Sequence, residues 1–331
     1  MATYKYNYYD ENGKRRCKTF TAPTRAKARR LAEAWEDVNL DDGKPVKTVC
    51  SALDEYIEAK RGVLSPSTIR SYEGIQKNGF NDIGDMSIRR LTDRDVQTWI
   101  SRLSLSGLKP KTVRNYYALL LGAISMQDKR IRFNVTLPQS ARYDNYCPSD
   151  SDIATLIEQI QRDGDGELLR AVLLSAFAPA RRSEVCALTS DDIRGNTVYF
   201  NKAMVKNSEG SWVIKLPKTP DSTRKVVYPQ FVIDHCKGIE GRLIQHTPDY
   251  IGDKFRKTLK KLNIPYFRYH DLRHYGASIL MYMGISTRTT EKRGGWAANS
   301  PVLRRIYQNA IDEKEREETE RINSYFEKFN V

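Results

Sequence analysis

The chain has 331 residues, 40% of them hydrophobic, which is room for two or three domains and a sizeable core. Lysine plus arginine number 55 against 41 acids, a formal charge of +14, and such an excess points to a polyanionic partner, nucleic acid being the commonest. No run approaches the roughly 20 apolar residues of a membrane span, and the five dispersed cysteines lack CxxC spacing, which argues against a zinc site or redox pair and for reduced thiols in a cytosolic protein.

Residues 1–42 read as a small sheet with a helix. "MATYKYNYYDENGKRR" lacks the apolar run of a signal peptide. "TYKYNYY" and "RRCKTFTA" are β-prone and flank "DENGK", whose Asn12-Gly13 pair is a strong hairpin signal. Thr24 caps "RAKARRLAEAWEDV", and its Leu31 and Trp35, four apart, can face the hairpin. Lys14, Arg15, Arg16 and Lys18 crowd the hairpin, and Arg25, Lys27, Arg29 and Arg30 the helix start. Such charge is either a solvated basic face or a β-sheet laid on DNA. "LDDGKPVK" then reads as a linker.

Residues 46–132 read as a bundle of four helices. Val49, Leu53, Tyr56 and Ile57 form one stripe. Ser65-Pro66 is a helix start, and Thr92 with Asp95 has capping spacing. Gly107 and Pro110 break the chain before a last helix with Val113, Tyr117, Leu120, Leu121 and Ile124 at helical spacing. Lys109, Lys111 and Arg114 cluster where it begins, as a phosphate contact or a solvated helix start. The stretch around 133–148 shows no periodicity and reads as a linker.

Residues 145–331 open with helical patterns, "DIATLIEQIQ" and "ELLRAVLLSAFA". Three β-prone pieces follow, "NTVYF", "SWVIKL" and "TRKVVYP", and helices then resume. "HDLRHYGASIL" puts His270 and Arg273 on one face of a helix's first turn, where free N–H groups and the dipole favour an anion. "APARRSEVCALTSDDI" offers arginines just before Glu184, suited to an anion with a carboxylate brace. "PKTPDSTRKVVYP" is a turn between two strand-like pieces, and a lysine at such a tip is a mobile donor. "RGGWAANSPVLRRIYQNA" carries Trp296 and Tyr307.

These segments, in this order, resemble the tyrosine recombinase (phage integrase) family, marked by an Arg–Lys–His-x-x-Arg–His/Trp–Tyr set. "PARRSEVCALTSDDI" resembles its first arginine motif and gives Arg181, three before Glu184. "KTPDSTRKV" resembles the β-hairpin lysine segment and gives Lys218, with Lys215 and Lys225 as competitors outside the K-T-x-x-S-x-R context. "HDLRH" gives His270 and Arg273, "GGW" gives Trp296, and "IYQNA" gives Tyr307. Where the family usually has threonine-glycine before the first arginine, this chain has Ala178-Pro179. The resemblance covers the last domain. The bundle looks like the family's core-binding domain, and residues 1–42 are similar to the arm-type DNA-binding domain of some integrases.

The resemblance implies a mainly α fold with small β elements (α+β) and a recombinase that cuts DNA through a 3′-phosphotyrosine, with no cofactor and no metal. Arg181 and Arg273 would meet the phosphate oxygens. His270 would donate to the phosphate or move a proton, Lys218 would protonate the leaving 5′ oxygen, and Trp296 would pack the site and donate through its indole N–H. Tyr307 would be the nucleophile, its free pKa of about 10 requiring activation, with Tyr325 as the main rival. Glu184 and His274 would brace the site from behind. Implied partners are double-stranded DNA at attachment sites, three further copies of the chain, a directionality factor and a DNA-bending protein, with a bacterial cytoplasmic location and no membrane. Ile322, Tyr325 and Phe326 form an apolar stripe that packs within the chain or, as the resemblance implies, on a neighbouring subunit. A type IB topoisomerase, a regulator that has lost cleavage, and a basic helical scaffold are the competing readings.

Overall fold

The computed structural model describes residues 1–9, 15–39, 47–139, 146–216 and 223–329. Strands β1 (Ala2–Tyr9) and β2 (Arg15–Ala22) pair antiparallel, Ala2 opposite Ala22 and Tyr9 opposite Arg15. The Asn12-Gly13 turn and Lys14 lie outside the described residues. Helix α1 (Arg25–Asn39) covers one face of this ribbon, with the Trp35 ring 5.0 Å from Tyr8 and 5.9 Å from Phe20. Leu31, expected beside it, is 46% exposed instead. The inward stripe runs through the buried Ala28 and Ala32 and the half-buried Trp35, and Leu31 points about 60° to one side of its centre.

The bundle comprises α2 (Val49–Lys60), α3 (Pro66–Gly79), α4 (Asp93–Leu105) and α5 (Pro110–Gln127). The start of α4 is set by side chains. The Thr92 hydroxyl accepts from the Asp95 N–H at 3.2 Å while the Asp95 carboxylate accepts from the Thr92 N–H at 3.0 Å. Val49, Leu53 and Ile57 are buried as the stripe predicts. On α5 Tyr116 is the fully buried ring, Tyr117 packs partly buried against the same core, and Leu119 is buried where Leu121 was expected. The reason is Gly79: a Cβ there would stand 2.1 Å from the Tyr116 ring, so glycine makes the slot that ring fills. The residues after α5 are not structureless padding. Ile131, Phe133, Val135 and Leu137 alternate inward onto the bundle core, and the Gln97 side chain brackets Thr136, accepting from its N–H at 2.7 Å and donating to its carbonyl at 3.2 Å. This period of two is an extended segment that the interleaved Arg132, Asn134 and Thr136 mask in the sequence. Residues 140–145 lie outside the described ones.

By contact density the chain divides into Met1–Leu64 with Ser71–Ala141, and Ser65–Arg70 with Arg142–Val331. The latter begins with α6 (Asp150–Arg162), capped reciprocally by Ser149 and Asp152, and α7 (Gly166–Ala176), buried along most of its length. After α8 (Arg182–Val185), β3 (Ile193–Arg194), β4 (Thr197–Phe200) and β7 (Arg224–Val227) form one antiparallel sheet in the order β3-β4-β7. β5 (Ala203–Lys206) and β6 (Trp212–Lys215) form another. The two pieces flanking Lys218 are therefore not partners in a hairpin, contrary to expectation. β6 pairs locally with β5 because "NSEGS" closes a tight turn, in which the Ser211 N–H donates to the Asn207 side chain at 2.8 Å and Gly210 supplies a φ of 83°. β7 pairs instead with β4, burying Arg224 and Val226 on one face.

Helices α9 (Gln230–Asp234), α10 (Pro248–Leu262), α11 (Asp271–Tyr282), α12 (Thr287–Gly294) and α13 (Pro301–Phe326) complete the chain. α7 and α11 cross with backbones in contact, since a Cβ on Gly276 would stand 2.1 Å from the Ala176 carbonyl. α13 docks through Leu303 and Ile306 onto Ala277, Met281 and Trp296. The fold is α+β and mainly helical. Among the described residues no helix is long and apolar enough to cross a membrane.

Candidate active site

The end of α12 organises this site. A helix C-terminus leaves carbonyls without intrahelical partners and carries partial negative charge. Here three consecutive ones each accept from a different arginine. The Arg293 carbonyl accepts from Arg224 Nε at 2.8 Å, the Gly294 carbonyl from Arg273 Nη1 at 2.6 Å, and the Gly295 carbonyl from Arg181 Nη2 at 2.9 Å. The glycines make this rack. Gly295 turns the chain with a left-handed φ of 66°, and a Cβ on Gly294 would lie 1.9 Å from the Trp296 ring.

Arg181 stands at the head of α8, where Glu184 accepts from both its backbone N–H, at 2.9 Å, and its Nη1, at 2.6 Å. The second oxygen of Glu184 takes Arg224 Nη2 at 2.9 Å. Burial pushes the Glu184 carboxyl up, but Arg224 and Arg181 outweigh it and hold its pKa below the usual carboxylate value. Arg182, next along, turns elsewhere, 3.7 Å from Asp249. Arg273 is 2% exposed, its Cζ 3.6 Å from the centre of the Trp296 ring, and its Nη1 also donates to the Pro179 carbonyl. Burial pulls its pKa down, as do Arg181 and Arg224, against Glu184. Its Nη2 is buried with no hydrogen-bond partner among the described residues. A planar fork with one arm fixed and one arm unspent is suited to an anion's oxygen.

His270 sits at the head of α11, its ring 5.3 Å from His274 and at right angles to it. Loss of water around the ring, then His274 and Arg273, push its pKa down to about 4, so it is neutral at pH 7 and offers one donor and one acceptor. His274 is also pushed down, chiefly by burial; its Nε2 lies 3.9 Å from Asp271 Oδ1, and its Nδ1 is buried without a partner among the described residues. Asp271 is held in turn by Arg268, whose N–H and Nη2 donate to it at 2.7 and 2.8 Å.

The structure thus gathers Arg181, Glu184, Arg273 and Trp296, with His270 and His274 beginning the helix that carries Arg273. Trp296 contributes its ring face to Arg273. Lys218 lies outside the described residues. Tyr307 lies on α13 directly after the buried Ile306, and its side chain is outside the described ones. Arg224 is the residue that sequence reasoning passed over. Its signal was there, an arginine two before Val226 in a β-prone run, on the face that must be buried.

Of the hairpin cations, Lys18 sits with Nζ 4.1 Å from the Trp35 ring. Arg16 pairs with Tyr8 and so shares that face, whereas Arg15 is exposed on the opposite one, with Lys5, Asn7 and Cys17. At α5 Lys109 and Lys111 are exposed, and Arg114 donates to the Pro138 carbonyl at 3.1 Å.

Residues 48–104 match the family model described as "Phage integrase, N-terminal SAM-like domain". A tyrosine recombinase XerC-like protein of Caldanaerobacter subterraneus subsp. tengcongensis is 23% identical over 96% of this chain and 94% of its own length. The integrase of transposon Tn1549, solved with transposon right end DNA, superposes with a TM-score of 0.69 at 20% identity over 84% of this chain and 100% of that one. A lambda integrase tetramer bound to a Holliday junction gives 0.60 at 17% identity, over 92% of this chain and 94% of that one.

Proposed function

We infer that this chain, a member of the tyrosine recombinase (phage integrase) family, is an integrase-type site-specific recombinase that cleaves and rejoins DNA. The observation that carries the reading is the Arg181–Arg273 pair, locked on the carbonyls of α12 with Arg273 Nη2 unspent. Attack on a phosphodiester builds negative charge on the non-bridging oxygens, and donors fixed beforehand stabilise that charge without reorganising. The Tyr307 oxygen bonds to phosphorus and the 5′ oxygen departs, taking a proton from Lys218. His270, neutral at pH 7, donates to the phosphate or relays the tyrosine's proton. The products are a 3′-phosphotyrosine and a free 5′-hydroxyl. Attack by another strand's 5′-hydroxyl reverses the step, so rejoining needs no ATP.

Three domains divide this work in our reading: residues 1–42 bind arm-type sites, 46–132 grip the core site, and 145–331 cut. The exposed hairpin face bearing Lys5, Asn7 and Arg15 meets DNA, as do Lys109 and Lys111. Relatives solved on DNA include dimers and a tetramer, and a tetramer suits this chain. Ile322, Tyr325 and Phe326 are 56–62% exposed at the end of α13, an apolar stripe for a neighbouring copy to cover. A directionality factor, a DNA-bending protein and a cytoplasmic, DNA-associated location belong to the same reading.

The test is covalent trapping on nicked duplexes with a randomised core, read on a denaturing gel. A protein–DNA band lost in Tyr307→Phe is expected. A band that persists in that variant moves the nucleophile to another tyrosine, Tyr325 first, and binding without any band on any duplex overturns the enzyme in favour of a regulator.

A further inference from the structure

We propose that Arg224 is a positioning residue for strand cleavage, holding Arg181 and the α12 carbonyls in register without itself touching the phosphate; the proposal rests on the recombinase reading above. Its side chain is 5% exposed, under the Phe200 ring with Cζ 4.4 Å from the centroid. One arm reaches Glu184 Oε2 at 2.9 Å, and Glu184 Oε1 holds Arg181 at 2.6 Å. The other, Nε, donates to the Arg293 carbonyl at 2.8 Å, one residue before the carbonyl that holds Arg273 and two before the one that holds Arg181. Arg293 returns the connection, its Nη2 donating to the Val227 carbonyl on β7 and to the Phe177 carbonyl, both at 3.1 Å. Strand β7 and the end of α12 are therefore strapped in both directions by two arginines.

This arrangement explains the residue type. Arg181 is 34% exposed at its side chain, so one flank is open to solvent and its aim depends on Glu184 and the Gly295 carbonyl. Glu184 in turn depends on Arg224, which supplies a second cation to a buried carboxylate and holds its Oε2 in place. Only a planar fork reaches two acceptors in two fixed directions; the single ammonium of lysine does not. Arg224 thus acts through Arg181 on the charge of the transition state.

The experiment uses full-length Arg224→Met and Arg224→Lys on a nicked duplex that the wild-type chain has selected from the randomised library. Three versions of its scissile group are compared: the natural phosphate, a methylphosphonate in which one charged oxygen is replaced by methyl, and a 5′-bridging sulfur whose departure needs no proton. On natural phosphate Arg224→Met is expected to cleave about 100-fold slower than wild type, and Arg224→Lys about tenfold slower, with duplex binding retained. Most of that gap should close on the methylphosphonate, where less charge develops for Arg181 to meet, and none of it on the bridging sulfur. Should Arg224→Met lack a cooperative melt, the same pattern is read on Arg224→Lys. Wild-type rates in the variants overturn the proposal. So does a defect equal on all three groups, which is a purely structural role, and so does rescue by the sulfur, which is a role toward the leaving group. A wild-type chain that forms no covalent product on any duplex overturns the recombinase reading, and this proposal with it.

Discussion

At the end of α12 Arg273 and Arg224 are buried, Arg181 is half-buried, and each is tied to its own carbonyl; on the β1–β2 ribbon Lys5 and Arg15 stand exposed in water. The same charge does different physical work in the two places. Burying a guanidinium costs desolvation, and the cost is offset only by partners of fixed geometry. What such a cluster offers is position, since two arginines share one carboxylate, a third is fixed on the neighbouring Gly294 carbonyl, and all are held before any ligand arrives. An exposed cation has no fixed aim. It contributes affinity for a polyanion by releasing counterions, in proportion to number rather than geometry.

The contrast is broken most directly at Glu184. Glu184→Ala leaves two arginines facing each other without their shared carboxylate, and removing one partner of a buried pair costs about 3–5 kcal/mol. The urea midpoint of the unit that carries Glu184 should fall accordingly, whereas Arg15→Ala should stay within about 0.5 kcal/mol of wild type. Equal, small shifts in both would mean that the cluster is no more tightly built than the ribbon. Gly294→Ala probes the same rack more gently. The new methyl group collides with the Trp296 ring that covers Arg273, and overpacking of this kind costs about 1–3 kcal/mol. Covalent-complex formation should drop while duplex binding holds, and full cleavage by this variant would detach Trp296 from any part in holding Arg273.

Much of this was legible before the structure, and the reasons are local. Thr92 with Asp95, Val49 with Leu53 and Ile57, and the Asn-Gly flanked by β-prone runs all carry their signal within a few residues. So do His270 and Arg273, read as the first turn of a helix, and Arg181 and Trp296, read from short motifs. What escaped notice depends on distant neighbours. Tyr116 is inward because Gly79 clears a slot for it, 37 residues away. β7 joins β4 rather than β6 because a turn between β5 and β6 had already claimed β6. Arg224 entered the reading only as the last residue of the K-T-x-x-S-x-R context around Lys218, and its burial follows only once β7 has its partner and Glu184 is in reach. The alternation of Ile131, Phe133, Val135 and Leu137 was readable and was obscured by the polar residues between them.

Acid should separate the two regions next. His270 and His274 both have folded pKa values below the ordinary 6.5, His270 at about 4, so the native state keeps them neutral while the unfolded chain takes up protons. The stability they confer is complete above pH 6.5 and is lost as pH falls toward 4; Glu184, depressed below 4.5, extends the loss further down. Melting temperature should therefore decline between pH 6.5 and pH 4, and His270→Gln should flatten part of that slope. An unchanged slope in that variant would mean the ring is solvated enough to titrate normally.

The smallest effect divides the ribbon itself. Lys18 and Arg15 are three residues apart on β2, yet Lys18 covers the Trp35 ring at 4.1 Å on the helix side and Arg15 faces out. A cation over an indole face is worth about 0.5–1 kcal/mol at an exposed site, so Lys18→Met should lower stability slightly. Arg15→Gln should leave stability alone and weaken DNA binding uniformly across sequences, reducing the slope of log affinity against log salt by about 1. Both quantities come from one protein pair, thermal melts beside binding titrations at several salt concentrations. If Lys18→Met changes the salt slope as much as Arg15→Gln does, then the helix-side cations leave Trp35 when DNA binds. The distinction between structural and ligand-facing charge would then hold for the α12 cluster but not for the ribbon.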